Sequence, residues 1–314
     1  MGDLFNIGLL QNTLRTATPV VLAALGVLMT DHVGIMNIGM DGMMLCGAFF
    51  AVLGSCFLGS WGMGLVAALG IGLLLGLFFG LFVIKFKSDE YIIGVALNIF
   101  AGGLTVFLLR TIFGVAGAFS GTAALPIHGL PVLDIPWLAQ IPLLGPLVNG
   151  NTLLVYVSWL LVIAAYVLIY RTPVGFWMRA AGEHPESLRA AGVNPEKMKY
   201  LASILCGLFS GLAGAHLSLG YLTMFTENMS ASRGFIAVAC VIFGRGNPPK
   251  VFLAALLFGF IDALGLRMQP MGISSNLTSM APYVVTVVMM VLVVQNAERR
   301  KRRAGGQTPL GKRR

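Results

Sequence analysis

RTPVGFWMRAAGEHPESLRAAGVNPEKMK, residues Arg171 to Lys199, is the longest polar stretch of the chain and separates two long apolar runs. Its first part, about Val174 to Gly182, has apolar residues at the i, i+3, i+4, i+7 spacing of an amphipathic helix. Pro185 cannot lie inside a helix and disfavours helical backbone in the residue before it, so the chain is expected to bend at Glu183–His184. The stretch therefore predicts a helix–bend–helix.

The second short helix is predicted to begin at Pro185, which suits the first helical position, and to end at Gly192. Asn194, Pro195 and Glu196 repeat this start signal and begin the next apolar run. A polar helix–bend–helix between two apolar spans indicates a docking surface for a soluble partner.

The composition is that of an integral membrane protein. Hydrophobic residues make up 57% of the 314 residues and charged residues only 11%, whereas about a quarter of the residues in a soluble domain are charged. The N-terminus lacks the basic region that opens a cleaved signal peptide. The four cysteines all lie in apolar runs without metal-ligand spacing, so they are predicted to be small core residues.

The apolar runs predict an all-α polytopic bundle with broken helices and nine crossings, within a range of about eight to ten, because a spanning helix needs about 20 apolar residues. Gly-rich polar breaks are expected at residues 31–42 and 225–234. The expected spans are Leu4–Thr30, Met43–Leu58, Trp61–Ile84, Tyr91–Leu109, Thr152–Tyr170, Tyr200–Leu219, a short segment Gly234–Gly244, Val251–Leu266 and Pro282–Val294.

The distribution of cations sets the expected orientation, because Lys and Arg collect on the cytoplasmic side of membrane proteins. With the C-terminus inside, 17 of the 21 Lys and Arg residues are cytoplasmic and the N-terminus is outside. Residues 1–298 then form one transmembrane domain, in which residues 171–199 are cytoplasmic and residues 115–150 are an extracytoplasmic loop with one interfacial helix. The basic tail, residues 299–314, is expected to lie on anionic lipid headgroups, and no nucleic-acid partner is expected.

Seven polar residues at predicted membrane depth are candidates for a substrate pathway, because ionisable groups in lipid usually pair with one another or line a pathway. The structural alternative is that Arg233 pairs with Glu227 or that Asp262 caps a broken helix. Broken helices at matching places in two halves are typical of internally repeated transporters, although the sequence shows no clear repeat. The candidates are Asn37, Asp41, Asn98, Glu227, Asn228, Arg233 and Asp262.

Catalytic signatures are missing from the sequence, so the chain is predicted not to be an enzyme and to need no cofactor or metal. It contains no Walker loop, no H-E-x-x-H and no G-x-S-x-G motif. Ser210 and His216 share one apolar helix, but six residues separate them along it, so they cannot form the hydrogen-bonded pair of an intramembrane serine protease.

Four segments of the chain resemble the permease subunits of ATP-binding-cassette importers of the branched-chain amino acid, ribose and nucleoside type. They are Thr13–Gly26, Val33–Ala51, Arg171–Pro195 and Arg233–Leu264, so the resemblance covers nearly the full length. The last three are most similar to the branch for simple sugars and purine nucleosides, in which two unlike permeases pair, and the chain is similar to the shorter of the two. Departures from the pattern of the family, which concern the pathway contacts, stand at Asp31, His32, Asp41, Gly246 and Pro249.

The resemblance implies that residues 171–199 hold the element that couples the permease to its ATPase. It implies as partners a second homologous permease in a heterodimer, a cytoplasmic ATP-binding subunit and an extracytoplasmic substrate-binding lipoprotein, all at a bacterial inner membrane. The implied function is half of a translocation pathway for a nucleoside or simple sugar. A branched-chain amino acid permease, a self-sufficient secondary transporter and a membrane scaffold are the alternatives. The implied coupling residues are Arg179, Gly182, Glu183, His184, Pro185, Glu186, Arg189 and Gly192.

Overall fold

Helices make up most of the protein, which we describe from a computed structural model over residues 7–134, 148–269, 280–282, 284–289 and 291. Single turns of π-helix extend α3 over Leu81–Lys85 and α8 over His216–Tyr221. The helices are α1 (Ile7–His32), α2 (Met40–Leu58), α3 (Trp61–Gly80), α4 (Glu90–Phe113), α5 (Leu153–Arg171), α6 (Pro173–Glu183), α7 (Pro185–Ala190), α8 (Pro195–Ala215), α9 (Arg233–Gly244) and α10 (Pro248–Met268).

Seven of these helices are long and apolar enough to cross a membrane, namely α1 to α5, α8 and α10. This confirms the predicted polytopic helical fold. Helix α9 has 12 residues and is too short to cross alone, whereas the sequence analysis counted this short segment among the nine crossings. The last predicted span, Pro282–Val294, lies partly outside the described residues, so the count of nine crossings and the orientation stay predictions.

Helices α1 and α8 lie at the centre of the bundle. They are antiparallel, because Gly26 lies against Cys206 while the Arg15 carbonyl meets the ring of His216. Helix α1 packs against α9 and α10, and α8 packs against α2 and α3. Helices α1 and α8 therefore connect the elements at the N-terminal end of the bundle to those at its C-terminal end.

Glycine allows the closest of these crossings. At the contact of α3 with α8, Gly72 and Gly207 lie backbone against backbone, and a Cβ on either would overlap the carbonyl of the other. Helices in lipid gain little from hydrophobic burial, so small residues that let backbones approach are what holds them together. This packing accounts for part of the high glycine content, 40 of 314 residues.

Two non-helical breaks interrupt the bundle, residues 33–39 between α1 and α2 and residues 222–232 between α8 and α9. The second break contains Asn228, Ala231 and Ser232 with φ between 45° and 60°, a backbone region that costs L-residues energy and persists where the surroundings enforce it. Both breaks were predicted from their glycine and polar content.

Within the described residues, four two-residue strands form two small sheets beside the helices. Strand β1 (Ala118–Phe119) pairs antiparallel with β4 (Phe225–Thr226), and β2 (Val132–Leu133) with β3 (Asn151–Thr152). The sequence predicted a loop over residues 115–150, and the first sheet ties this loop to the second break. Residues 135–147 of this loop lie outside the described residues, so the interfacial helix expected in the loop stays a prediction.

Candidate functional site

The polar segment, residues 171–199, folds as its proline positions predict. Helix α6 begins where the Thr172 hydroxyl accepts a hydrogen bond from the Gly175 N–H. His184, with φ −141° and ψ 68°, separates α6 from α7. Gly192 follows α7 with φ 81°, and the Asn194 side chain caps α8 by accepting from the Glu196 N–H at 2.8 Å.

The polar segment has one face on the bundle and one face outward. Met178, Ala181 and Leu188 are buried and hold it to the other helices. Arg189 lies on the outer face, 3.8 Å from Glu186 and 3.5 Å from Glu196, and all three side chains are more than half exposed. Exposed ion pairs of this kind contribute about 0–1 kcal/mol to stability. These charged side chains are therefore accessible at the surface and are not needed for folding.

Arg179 belongs to the inner side of the polar segment. Its guanidinium lies 5.3 Å from the centre of the Tyr170 ring, within reach of a cation–π contact. The Tyr170 ring in turn meets the ring of His32 edge-on. Arg179 therefore connects α6 to the ends of α5 and α1 and does not face outward with Glu186 and Arg189.

Gly182 brings the polar segment into backbone contact with the end of α1. A Cβ on Gly182 would lie 2.6 Å from the His32 carbonyl oxygen and 2.9 Å from the Gly34 nitrogen. No side chain fits there without displacing backbone. The polar segment thus touches the point where α1 ends and the first break begins.

Side chains from other helices hold the first break. The Asn98 carbonyl oxygen accepts from the Gly42 N–H at 2.7 Å, and the Asn98 amide donates to the Ile38 carbonyl at 3.0 Å. Glu90 accepts from the Met36 N–H at 3.0 Å. Asn37 is fully buried and its amide oxygen accepts from the Gly39 N–H. The role of Glu90 was not predicted from the sequence. Its position in the first turn of α4 was the signal that could have identified it.

Asp41 joins the first break to the second. Its two carboxylate oxygens accept from the Gly234 N–H at 3.1 Å and from the Ser230 hydroxyl at 3.0 Å. Gly234 is in the first turn of α9, where N–H groups have no partner within the helix and a negative charge is favourable. Asp41, at the start of α2, therefore caps α9.

Arg233 pairs with Asp262 and not with Glu227, the pairing that the sequence suggested. The Arg233 guanidinium lies 3.0 Å from an Asp262 carboxylate oxygen, with 19% and 29% of the two side chains exposed. Glu227 instead accepts from the Gly117 N–H at 2.9 Å and lies 4.0 Å from Arg110. Strand β4 holds Glu227 beside the 115–134 loop. The strained turns between Glu227 and Arg233 then keep the two side chains apart.

A cleft of about 200 Å³ opens beside the Arg233–Asp262 pair. Thr16 of α1 also borders it and donates its hydroxyl hydrogen to the Gly259 carbonyl at 2.8 Å. The rest of the wall is largely apolar. Residues lining the cleft include Thr16, Val20, Ala231, Arg233, Ile236, Phe258, Gly259, Asp262, Gly265, Leu266, Gln269 and Pro282.

Of the seven predicted pathway residues, the structure thus places two, Arg233 and Asp262, on this cleft. Asp41 is not among the residues that line the cleft, and its hydrogen bonds to Ser230 and Gly234 connect it to Arg233. Asn37 and Asn98 support the first break, Glu227 supports the loop, and exposed Asn228 lies in the second break. The cleft presents donors and acceptors without net charge, because its cation and its carboxylate neutralise each other.

Comparison with known proteins identifies relatives over nearly the whole chain. The model of the family described as "Branched-chain amino acid transport system / permease component" matches residues 9–294. A Haloferax volcanii protein provisionally assigned as the glucose ABC transporter permease protein TsgC13 is 35% identical over 274 residues, 86% of this chain and 80% of the relative. The guanosine ABC transporter permease protein NupQ of Bacillus subtilis is 32% identical, covering 91% of this chain and 92% of NupQ.

A third relative and one solved structure extend the comparison. The nucleoside ABC transporter permease protein NupC of Lactococcus lactis is 29% identical over 92% of this chain and 93% of NupC. The inward-facing structure of a provisionally assigned metal-chelate type ABC transporter covers 90% of this chain and 84% of its own, with a TM-score of 0.50 and 16% identity, a likeness of fold alone. Since the family model matches most of its length, the chain belongs to the family of branched-chain amino acid transport system permease components.

Proposed function

We propose that the chain is the permease subunit of an ATP-driven importer and forms half of the pathway for a nucleoside or a simple sugar. The observation that carries the proposal is the connection between an outward-facing polar segment and a polar cleft in the bundle. The names of the relatives, which are permease proteins for guanosine, for nucleosides and for glucose, support the same function.

The cleft favours a neutral substrate rich in hydroxyl groups. Thr16, Arg233 and Asp262 supply hydrogen-bonding groups of both kinds beside the aromatic ring of Phe258. A zwitterionic amino acid would need an anion and a cation that are each available to it, whereas Arg233 and Asp262 already neutralise each other at 3.0 Å. A nucleoside or sugar can exchange weak hydrogen bonds with the pair without separating it.

We assign the proposed soluble partners to the two ends of the bundle. The exposed outer face of the polar segment, with Glu183, Glu186 and Arg189, docks on a cytoplasmic ATP-binding subunit. A second homologous permease completes the pathway in a heterodimer. An extracytoplasmic lipoprotein delivers substrate over the 115–150 face, and the complex lies in a bacterial inner membrane with the C-terminus inside.

The route of coupling runs through backbone contacts. Movement of the polar segment acts on the end of α1 at Gly182 and reaches the first break, residues 33–39. The break leads into α2, where Asp41 holds the start of α9. Arg233 is the first residue of α9, so a shift of α9 changes the cleft.

Uptake by whole cells that contain the assembled transporter tests the proposal. We expect ATP-dependent uptake of labelled guanosine or glucose, and a loss of at least tenfold in the isosteric variant Thr16→Val with normal protein levels. Glu227→Gln, outside the cleft, is the control and should retain uptake. Uptake driven by an ion gradient without ATP, or uptake of leucine in place of both neutral substrates, would contradict the proposal.

A further inference from the structure

A second cleft, lined by apolar side chains, lies between α3 and α4 and has a volume of about 660 Å³. These helices are consecutive in the chain but do not close on each other, because α3 packs against α2 and α8 while α4 packs against α2. The space between them is open at the lateral surface of the bundle. Its wall includes Leu74, Phe78 and Phe82 of α3 and Ile93, Leu97 and Phe100 of α4.

The depth of the cleft matches one leaflet of a bilayer. Its lining on α3 extends from Ile71 to Phe82 and its lining on α4 from Ile93 to Leu104, which is twelve residues, or eleven helical steps, in each case. At 1.5 Å per residue this is about 16 Å of helix, and half of a hydrocarbon core is about 15 Å. The cleft therefore has the length of an acyl chain that enters from the end of α3.

That end carries two lysines and interfacial aromatic residues, while the nearby carboxylates of Asp89 and Glu90 accept hydrogen bonds from backbone N–H groups. The rings of Phe78, Phe82 and Phe86 follow one another at 4.7 Å and 5.4 Å and lead out of the cleft. Lys85 and Lys87 flank Phe86 and are exposed, and neither belongs to an ion pair among the described residues. Tyr91, with 51% exposure, lies at the start of α4, and tyrosine is enriched where a span leaves the membrane.

We propose that this cleft binds an anionic phospholipid, with one acyl chain between α3 and α4 and the phosphate at Lys85 and Lys87. The apolar wall accounts for the chain and the two lysines for the charge, since basic residues between spans at the membrane surface bind anionic headgroups. A neutral lipid would satisfy the wall but leave both cations without a partner. The inference depends on membrane insertion and not on the transported substrate or on ATP coupling.

Lipid retention by the full-length protein tests this site. The protein is first placed in nanodiscs that contain equal amounts of phosphatidylglycerol and phosphatidylcholine. It is then purified in mild detergent, and the lipid that stays bound is measured by native mass spectrometry. We expect retained phosphatidylglycerol in the unmodified protein and about a fivefold loss for each of Lys85→Gln and Lys87→Gln, because a basic residue near an anionic surface contributes about 1 kcal/mol. Lys250→Gln, another exposed cation on the same side of the predicted topology, is the control.

A second pair of variants tests the apolar part of the cleft. Ala96→Trp fills the cleft and should displace the lipid, whereas Val95→Trp adds a similar bulk on the neighbouring lipid-facing position outside the cleft and should not. Equal retention of both lipids, or retention unchanged in the lysine double variant, would overturn the proposal. So would cross-linking of Ala96→Cys to a second permease in the intact membrane, which would assign the cleft to a protein contact.

Discussion

At the scale of single residues, most of the polar side chains of the bundle satisfy backbone groups. Asn98 bonds to the end of the first break at Ile38 and to the start of α2 at Gly42, and Asp41 bonds to the start of α9. Backbone groups outside helices have no water to bond to in the hydrocarbon, so partners must come from the protein. This requirement explains why amides and carboxylates accompany the Gly-rich breaks. Arg233 and Asp262 are the two of the seven that also border a cleft.

The Arg233–Asp262 pair provides a test by mutual rescue. Arg233→Gln or Asp262→Asn leaves a charged group without its partner, and we expect each to lower the free energy of unfolding by about 1–3 kcal/mol. The double variant should recover most of this loss, since neither charge is then left alone. Thermal melting in detergent and membrane abundance give the measurement. Rescue of Arg233→Gln by Glu227→Gln instead would restore the pairing that the sequence suggested.

Among the secondary-structure elements, the polar segment contacts the start of the first break at one glycine, Gly182. Helix α6 approaches the end of α1 so closely at Gly182 that a methyl group would meet the carbonyl oxygen of His32 at 2.6 Å. Helix α7 and its exposed charges extend from this contact. The element that faces the proposed ATPase therefore rests on the segment that leads to Asp41.

Gly182→Ala tests this contact, because the added Cβ must push α6 away from α1. We expect a loss of about 1–3 kcal/mol of stability from overpacking and fewer substrate molecules imported per ATP hydrolysed. Gly103→Ala is the matched control, since a Cβ there meets no atom within 4 Å and alanine favours a helix by about 0.5–1 kcal/mol. An unchanged ratio of uptake to ATP hydrolysis in Gly182→Ala would show that coupling takes another route.

At the scale of the whole molecule, the orientation is the property that most needs measurement. The four cysteines are buried, so a cysteine-free version can carry single reporter cysteines. Ser187→Cys and Gly306→Cys should be protected from an impermeant thiol reagent in intact cells, whereas Thr122→Cys and Asn149→Cys should react, because the cation distribution places the first two inside. Labelling of Gly306→Cys from outside would invert the topology and remove the polar segment from the cytoplasmic ATPase.

The class of the protein and the local structure of its polar segment could be predicted from the order of the amino acids alone. Apolar runs of spanning length can fold in lipid only as helices or closed barrels, and proline and glycine positions set the bend at His184 and the end at Gly192 because both act on the backbone within one or two residues. The glycine-rich breaks were visible for the same reason.

The contacts between groups distant in the chain became visible in the folded structure and not before. The antiparallel crossing of α1 and α8, the cap of Asp41 on α9 and the pairing of Arg233 with Asp262 join residues 29 to 201 positions apart. Sequence reasoning chose Glu227 for Arg233 because it was near in the chain. The strained backbone at Asn228, Ala231 and Ser232 and the pairing of β4 with β1 direct Glu227 away, and such long-range geometry depends on the packing of all the helices at once.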